Sequence, residues 1–197
     1  MVEILSDIKC PGCGARVSIE QNECEWCHTP LTITSFNSLF DMSKQEIDKY
    51  YKSFSEASSV NPDNNIINKT LGMCFIKMGL YDKALACFDK IIINNINDSE
   101  VYFYSAISLL EGKKPFVVSR KNIDKIVTYI NVAINIENRG LYHYFLAFIK
   151  YDYFERKYLN TIPNYKECLI EANKLGVSEH DKVMLFDFLK VQKPSHI

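Results

Sequence analysis

The sequence predicts a mainly α-helical protein of about eight helices with a small cysteine-bearing β module at its N-terminus. Two observations lead there. "KCPGCGARVSIEQNECEWCHTPL" carries two CxxC pairs, so four of the seven cysteines fall within eighteen residues. From about residue 43 onward, apolar residues recur at helical spacing between capping and turn signals.

The cysteines come first. A start of "MVEILSDIKC" lacks a basic segment followed by an apolar run, so no signal peptide is expected. No apolar run approaches the roughly 18 residues of a membrane span. A cytoplasmic protein keeps its thiols reduced, which argues against a disulfide framework. Haem attachment at Cys24-Glu25-Trp26-Cys27-His28 would leave Cys10 and Cys13 unexplained, and neither pair opens a helix after a strand as a redox motif does. One zinc ion uses all four thiolates: Cys10, Cys13, Cys24 and Cys27 close a tetrahedron from two short turns. Gly14 supplies a positive φ beside the first turn. "ARVSIEQNE" alternates as a small hairpin, "TPLTI" offers a closing strand, and His28 reads as a surface neighbour rather than a ligand.

These residues, over about 7 to 34, resemble the short zinc ribbons that open many bacterial multidomain proteins, with His28 standing where that family has glycine. A closed four-cysteine site has no open position for substrate, so the expected role of the metal is structural. The expected organisation is a ribbon over 1–34, a linker over 35–42 and a helical domain over 43–197.

Within the helical part, Ser43 and Glu46 form a capping-box signature ahead of Ile47, Tyr50, Phe54 and Ala57 on one face. In "NKTLGMCFIKMGLYDKALACFDKIIINN", Leu71, Gly72 and Phe75 followed by Gly79, Tyr81, Ala84 and Phe88 resemble tetratricopeptide repeats. Asn68 stands where that family has an aromatic residue, and Ile96 where proline would end the repeat. A period of about 34 residues extends the pattern. It carries Leu71, Gly72 and Phe75 onto Ser105, Ala106 and Leu109, and Tyr50, Phe54 and Ala57 onto Ala84, Phe88 and Ile91. The expected architecture is therefore an α-solenoid. Beyond 111 an insertion, about 112–122, shifts the register, and Ile126, Ile130 and Ala133 resume it late. A helix from 140 carries Ala147, Gly176 is a plausible C-cap, and a capping helix spans about 179–190 after Ser178 and Asp181.

The resemblance implies that first helices of successive repeats line a partner-binding groove. Its candidate residues are Ile66, Lys69, Met73, Ile76 and Lys77, then Glu100, Phe103, Ile107, Leu110 and Glu111, then Leu141, Tyr144, Phe148 and Tyr151. The same wall can instead be buried by the C-terminal helices, and the sequence leaves both open. The insertion gathers Lys113, Lys114, Arg120, Lys121 and Lys125, either a phosphate or acidic-partner contact or a solvated loop.

Charge is balanced, 23 Lys and Arg against 24 Asp and Glu, so no global field draws the chain to nucleic acid or membrane. No phosphate loop or nucleophile elbow occurs, and the expectation is a non-enzyme. The functional expectation is a protein-interaction adaptor with a protein or peptide partner. Its alternative is a nucleic-acid-binding module using the ribbon and the basic insertion. The ribbon's own charge, Lys9 and Arg16 against Glu20, Glu23 and Glu25, disfavours that alternative.

Overall fold

A computed structural model describes residues 7–33, 36–94, 97–195 and 197. Among them lie nine α-helices and one two-stranded sheet. The chain divides into two compact units between residues 95 and 96. The boundary expected at 34 and 35, and Ile96, lie at or beyond the edge of the described residues.

The first unit opens with β1 (Asp7–Lys9) antiparallel to β2 (Arg16–Ser18), with Ile8 opposite Val17. "TPLTI" contributes only an isolated bridge, Glu23 to Pro30, and not the closing strand expected. Four helices follow: α1 (Phe36–Asp41), α2 (Lys44–Val60), α3 (Asn65–Lys77) and α4 (Tyr81–Ile93). The capping box at Ser43 and Glu46 starts α2 as read from sequence. The segment expected to be a linker contains α1, with Phe36 and Leu39 buried, and α1 packs on α3.

Successive helices pack on each other, α2 on α3 and α3 on α4. Asn68 is buried, and its amide donates to the carbonyls of Pro62 (2.9 Å) and Asn64 (3.0 Å). It fastens the turn before α3 with the two N–H donors of one amide nitrogen, where an aromatic side chain offers at most one donor. A Cβ on Gly72 would stand 2.5 Å from the fully buried ring of Phe88, so α3 and α4 approach closely there.

The second unit comprises α5 (Ser99–Leu110), α6 (Arg120–Ile136), α7 (Gly140–Ile149), α8 (Tyr165–Lys174) and α9 (Glu179–Leu189). Here α5 packs on α6, α6 on α7 and α7 on α8, while α9 returns to lie on α7 and α5. A capping box at Ser178 and Asp181 opens α9, and Gly176, at φ 74°, follows Leu175, the C-cap of α8. The single helix expected from 140 instead passes into a π-helical stretch over Lys150–Phe154 and a 3-10 turn over Glu155–Lys157. No helix among the described residues is long and apolar enough to cross a membrane.

Replacing Gly72 with Ala forces a methyl group into the Phe88 ring. Overpacking of this kind costs about 1–3 kcal/mol, against roughly 1 kcal/mol gained in helix propensity. The expected result is a net loss of up to about 2 kcal/mol in urea unfolding; raised stability would show that the α3–α4 contact yields easily.

Candidate metal centre and the helical wall

Two turns of the same construction hold the cysteines. In the first, Cys10 N–H donates to the Ala15 carbonyl (2.8 Å) and Gly14 N–H to the Cys10 carbonyl (2.9 Å). In the second, Cys24 N–H donates to Thr29 (2.9 Å) and His28 N–H to Cys24 (2.8 Å). His28 and Gly14 are thus equivalent positions, at φ 57° and 78°. Histidine tolerates this left-handed backbone better than most residues, so the turn survives the departure from glycine. The His28 side chain points to solvent near Glu23, as a neighbour and not part of the cysteine cluster.

The four Sγ atoms lie within 4.8 Å of one another. Cys10 and Cys27 are 3.5 Å apart and Cys13 and Cys24 3.7 Å. A tetrahedral ion with metal–sulfur bonds of about 2.3 Å requires sulfur–sulfur edges of about 3.8 Å. The donor set therefore fits a metal. Gly12 N–H donates to Cys10 Sγ at 3.3 Å, and Thr29 Oγ1 lies 3.2 Å from Cys27 Sγ. That hydroxyl holds the Cys27 thiol down to about 6. At Cys13 the Ala15 N–H favours the thiolate, but the sulfurs of Cys27, Cys24 and Cys10 and lost hydration outweigh it and push the thiol up to about 12. Four thiolates at this spacing repel, and a divalent cation removes the repulsion.

The site is anchored to a helix. Tyr50 of α2 donates its hydroxyl to the Pro30 carbonyl, and Ser53 donates to that of Lys9. Lys9 and Glu56 add an exposed ion pair at 2.7 Å, worth little by itself. Ile8, Val17, Ile19, Leu31 and Ile33 are all buried. The ribbon is therefore part of the first compact unit, where the sequence reading has a separate module.

The candidate groove is closed. Met73, Ile76, Phe103, Ile107, Leu110, Tyr144 and Phe148 are all 2% exposed or less. Phe103 packs on Tyr142 (5.0 Å between ring centroids) and Phe145 (5.7 Å). On α9, Phe186 meets Tyr144 (6.3 Å) and Phe148 (5.0 Å) edge to face, so the capping helix covers the α7 part of the wall. Lys77 donates to the Phe40 carbonyl of α1 at 2.8 Å, and Glu100 pairs with Arg139 at 3.3 Å. Lys69, Leu141 and Tyr151 are half-buried; only Ile66 and Glu111 are exposed. The apolar stripe that resembled a groove is core.

The insertion is no free loop either. Arg120, Lys121 and Lys125 belong to α6, where Arg120 pairs with Asp124 (2.8 Å) and Lys125 lies over Tyr129 (5.2 Å). Lys113 pairs with Glu111. Pro115–Val117 forms a 3-10 turn whose Phe116 N–H donates to Asp152 (2.8 Å), while Arg156 and Lys157 lie against the Phe116 ring. Asp152, which in sequence looks like ordinary surface charge, is buried and also accepts from Arg156 (2.5 Å). Lys114 alone of the five lines a 420 Å³ cavity, with Arg156 and Lys193. Cys74 and Cys168 are buried, which pushes their thiols up to about 12 and about 11. No family model matches the chain, and no curated protein matches it.

Replacing Phe103 with Glu places a carboxylate among Tyr142, Phe145 and Tyr104. The expected loss is several kcal/mol, read as a collapse of the thermal or urea transition. A melting temperature near that of the wild type would mean the wall is open.

Proposed function

We propose that this chain is a non-catalytic interaction scaffold, in which one structural zinc on Cys10, Cys13, Cys24 and Cys27 fastens a ribbon to tetratricopeptide-like helical repeats. A cytosolic setting keeps the thiols available to the ion. The spacing of the four Sγ atoms carries the metal assignment, since soft thiolates at tetrahedral edges select a borderline-soft ion such as zinc. All four positions are taken by protein, so the ion organises structure and leaves no place for a reacting water.

The partner-binding half of the proposal moves from the filled wall to the outside of the ribbon. Trp26 sits between two of the cysteines in a hydrogen-bonded turn and is 70% exposed. A large aromatic side chain exposed to water on a hydrogen-bonded turn supports a contact with a protein or peptide, because tryptophan is among the residues that most often dominate such interfaces. Nucleic acid is disfavoured by Glu23 and Glu25 beside that residue and by the pairing of Arg120 and Lys113 with carboxylates.

Two measurements test this. Metal analysis of freshly reduced protein is expected to give one zinc per chain; iron, haem or no metal contradicts it. Affinity capture from the native cell extract is expected to lose a reproducible protein partner on Trp26→Ala while the melting temperature stays within about 2 °C, as for a surface change. Identical capture by both proteins would remove the ribbon tip from the proposal.

A further inference from the structure

Two charged side chains are buried among the described residues, and both lie in the π-helical stretch after α7. Asp152 is matched by Arg156 and the Phe116 N–H. Lys150 is not matched. It is 5% exposed, its ammonium donates to Thr161 Oγ1, and no carboxylate of the described residues pairs with it. Nζ lies 5.0 Å from the Phe154 ring, and the guanidinium of Arg120 lies 5.1 Å from that same ring, so the groups packed on this side add no negative charge; Glu155 shares a cavity with Lys150 without pairing with it. An ammonium removed from water without a counter-ion is costly, and burial lowers the Lys150 pKa accordingly.

The lysine borders a cavity of 390 Å³, lined also by Leu159, Thr161, Ile162, Tyr165 and Glu155. That volume suits a small ligand. Because Thr161 Oγ1 accepts from Lys150, its own hydrogen is available to a second acceptor. We infer that this cavity binds a small organic monocarboxylate, with Lys150 and Thr161 donating to the carboxylate and the exposed side chains of Leu159 and Ile162, with Tyr165, offering apolar surface to its body. One buried ammonium neutralises one negative charge, and Glu155, which also lines the cavity, penalises each further charge, so a monoanion is favoured over a dianion such as phosphate.

The test uses full-length, metal-loaded protein titrated with benzoate, benzamide and inorganic phosphate at constant ionic strength, followed by amide NMR shifts. Benzoate is expected to give saturable shifts confined to residues 150–165, with phosphate and neutral benzamide giving none there. Lys150→Met is expected to weaken benzoate binding at least about tenfold, the usual effect of losing a charge-assisted hydrogen bond. It should melt at or above the wild-type temperature, because it removes an uncompensated charge. If Lys150→Met does not fold, Thr161→Val, which deletes only the hydroxyl, is expected to weaken benzoate severalfold. Absence of benzoate shifts, equal shifts with benzamide, preference for phosphate, or full binding by the folded variant overturns the inference.

Discussion

Four sulfurs brought within 4.8 Å of one another cannot all carry charge unless a cation sits between them, and the N-terminal unit is organised around that requirement. The two turns aim backbone N–H groups and the Thr29 hydroxyl at individual sulfurs, which lowers Cys27 but leaves Cys13 protonated. Only an ion makes all four thiolates favourable together. The hairpin around them has three residues per strand, too little to stand alone. Tyr50 and Ser53 of α2 support it by donating to the backbone carbonyls of Pro30 and Lys9. The cysteine cluster and helix α2 thus bear on neighbouring residues of the same small ribbon.

The second unit solves a different problem. Its helices carry more apolar surface than consecutive pairing can bury, and α9 folds back to cover the excess with Phe186. Small hydroxyl residues let the helices approach: Ser105 and Ser108 are buried and return their hydroxyls to carbonyls of their own helix, four residues earlier (2.8 Å each). The price of closing the wall falls on the π-helical stretch, where Lys150 and Asp152 turn inward. Asp152 ties the basic insertion down, and Lys150 faces a cavity. Wider turns of this kind often accompany functional sites.

The features legible in the sequence are those set by local chemistry. Paired CxxC spacing brought the four thiols together, and Ser43 with Glu46 and Ser178 with Asp181 marked helix starts. The features that escaped depend on partners distant in the chain. Periodicity showed that Phe103 and Tyr144 share an apolar stripe, but not that α9 would cover part of it. Asp152 looked like surface charge because its partner is a backbone N–H thirty-six residues away. The helix α1 is only six residues long, too short to establish a period, and depends on α3 for its burial. Polar contacts from Tyr50 and Ser53 to backbone carbonyls leave no compositional trace, so the ribbon looked separate from the helices it joins.

The most direct test is hydrogen exchange before and after removal of the metal by a chelator under reducing conditions, with α5–α9 as the internal reference. The prediction is that protection is lost together in residues 7–33 and along the face of α2 that carries Tyr50 and Ser53, while the second unit is unchanged. Full protection of α2 after the ribbon has opened, or a ribbon that stays protected without metal, would contradict the claim that one ion holds the ribbon and α2 as a single unit.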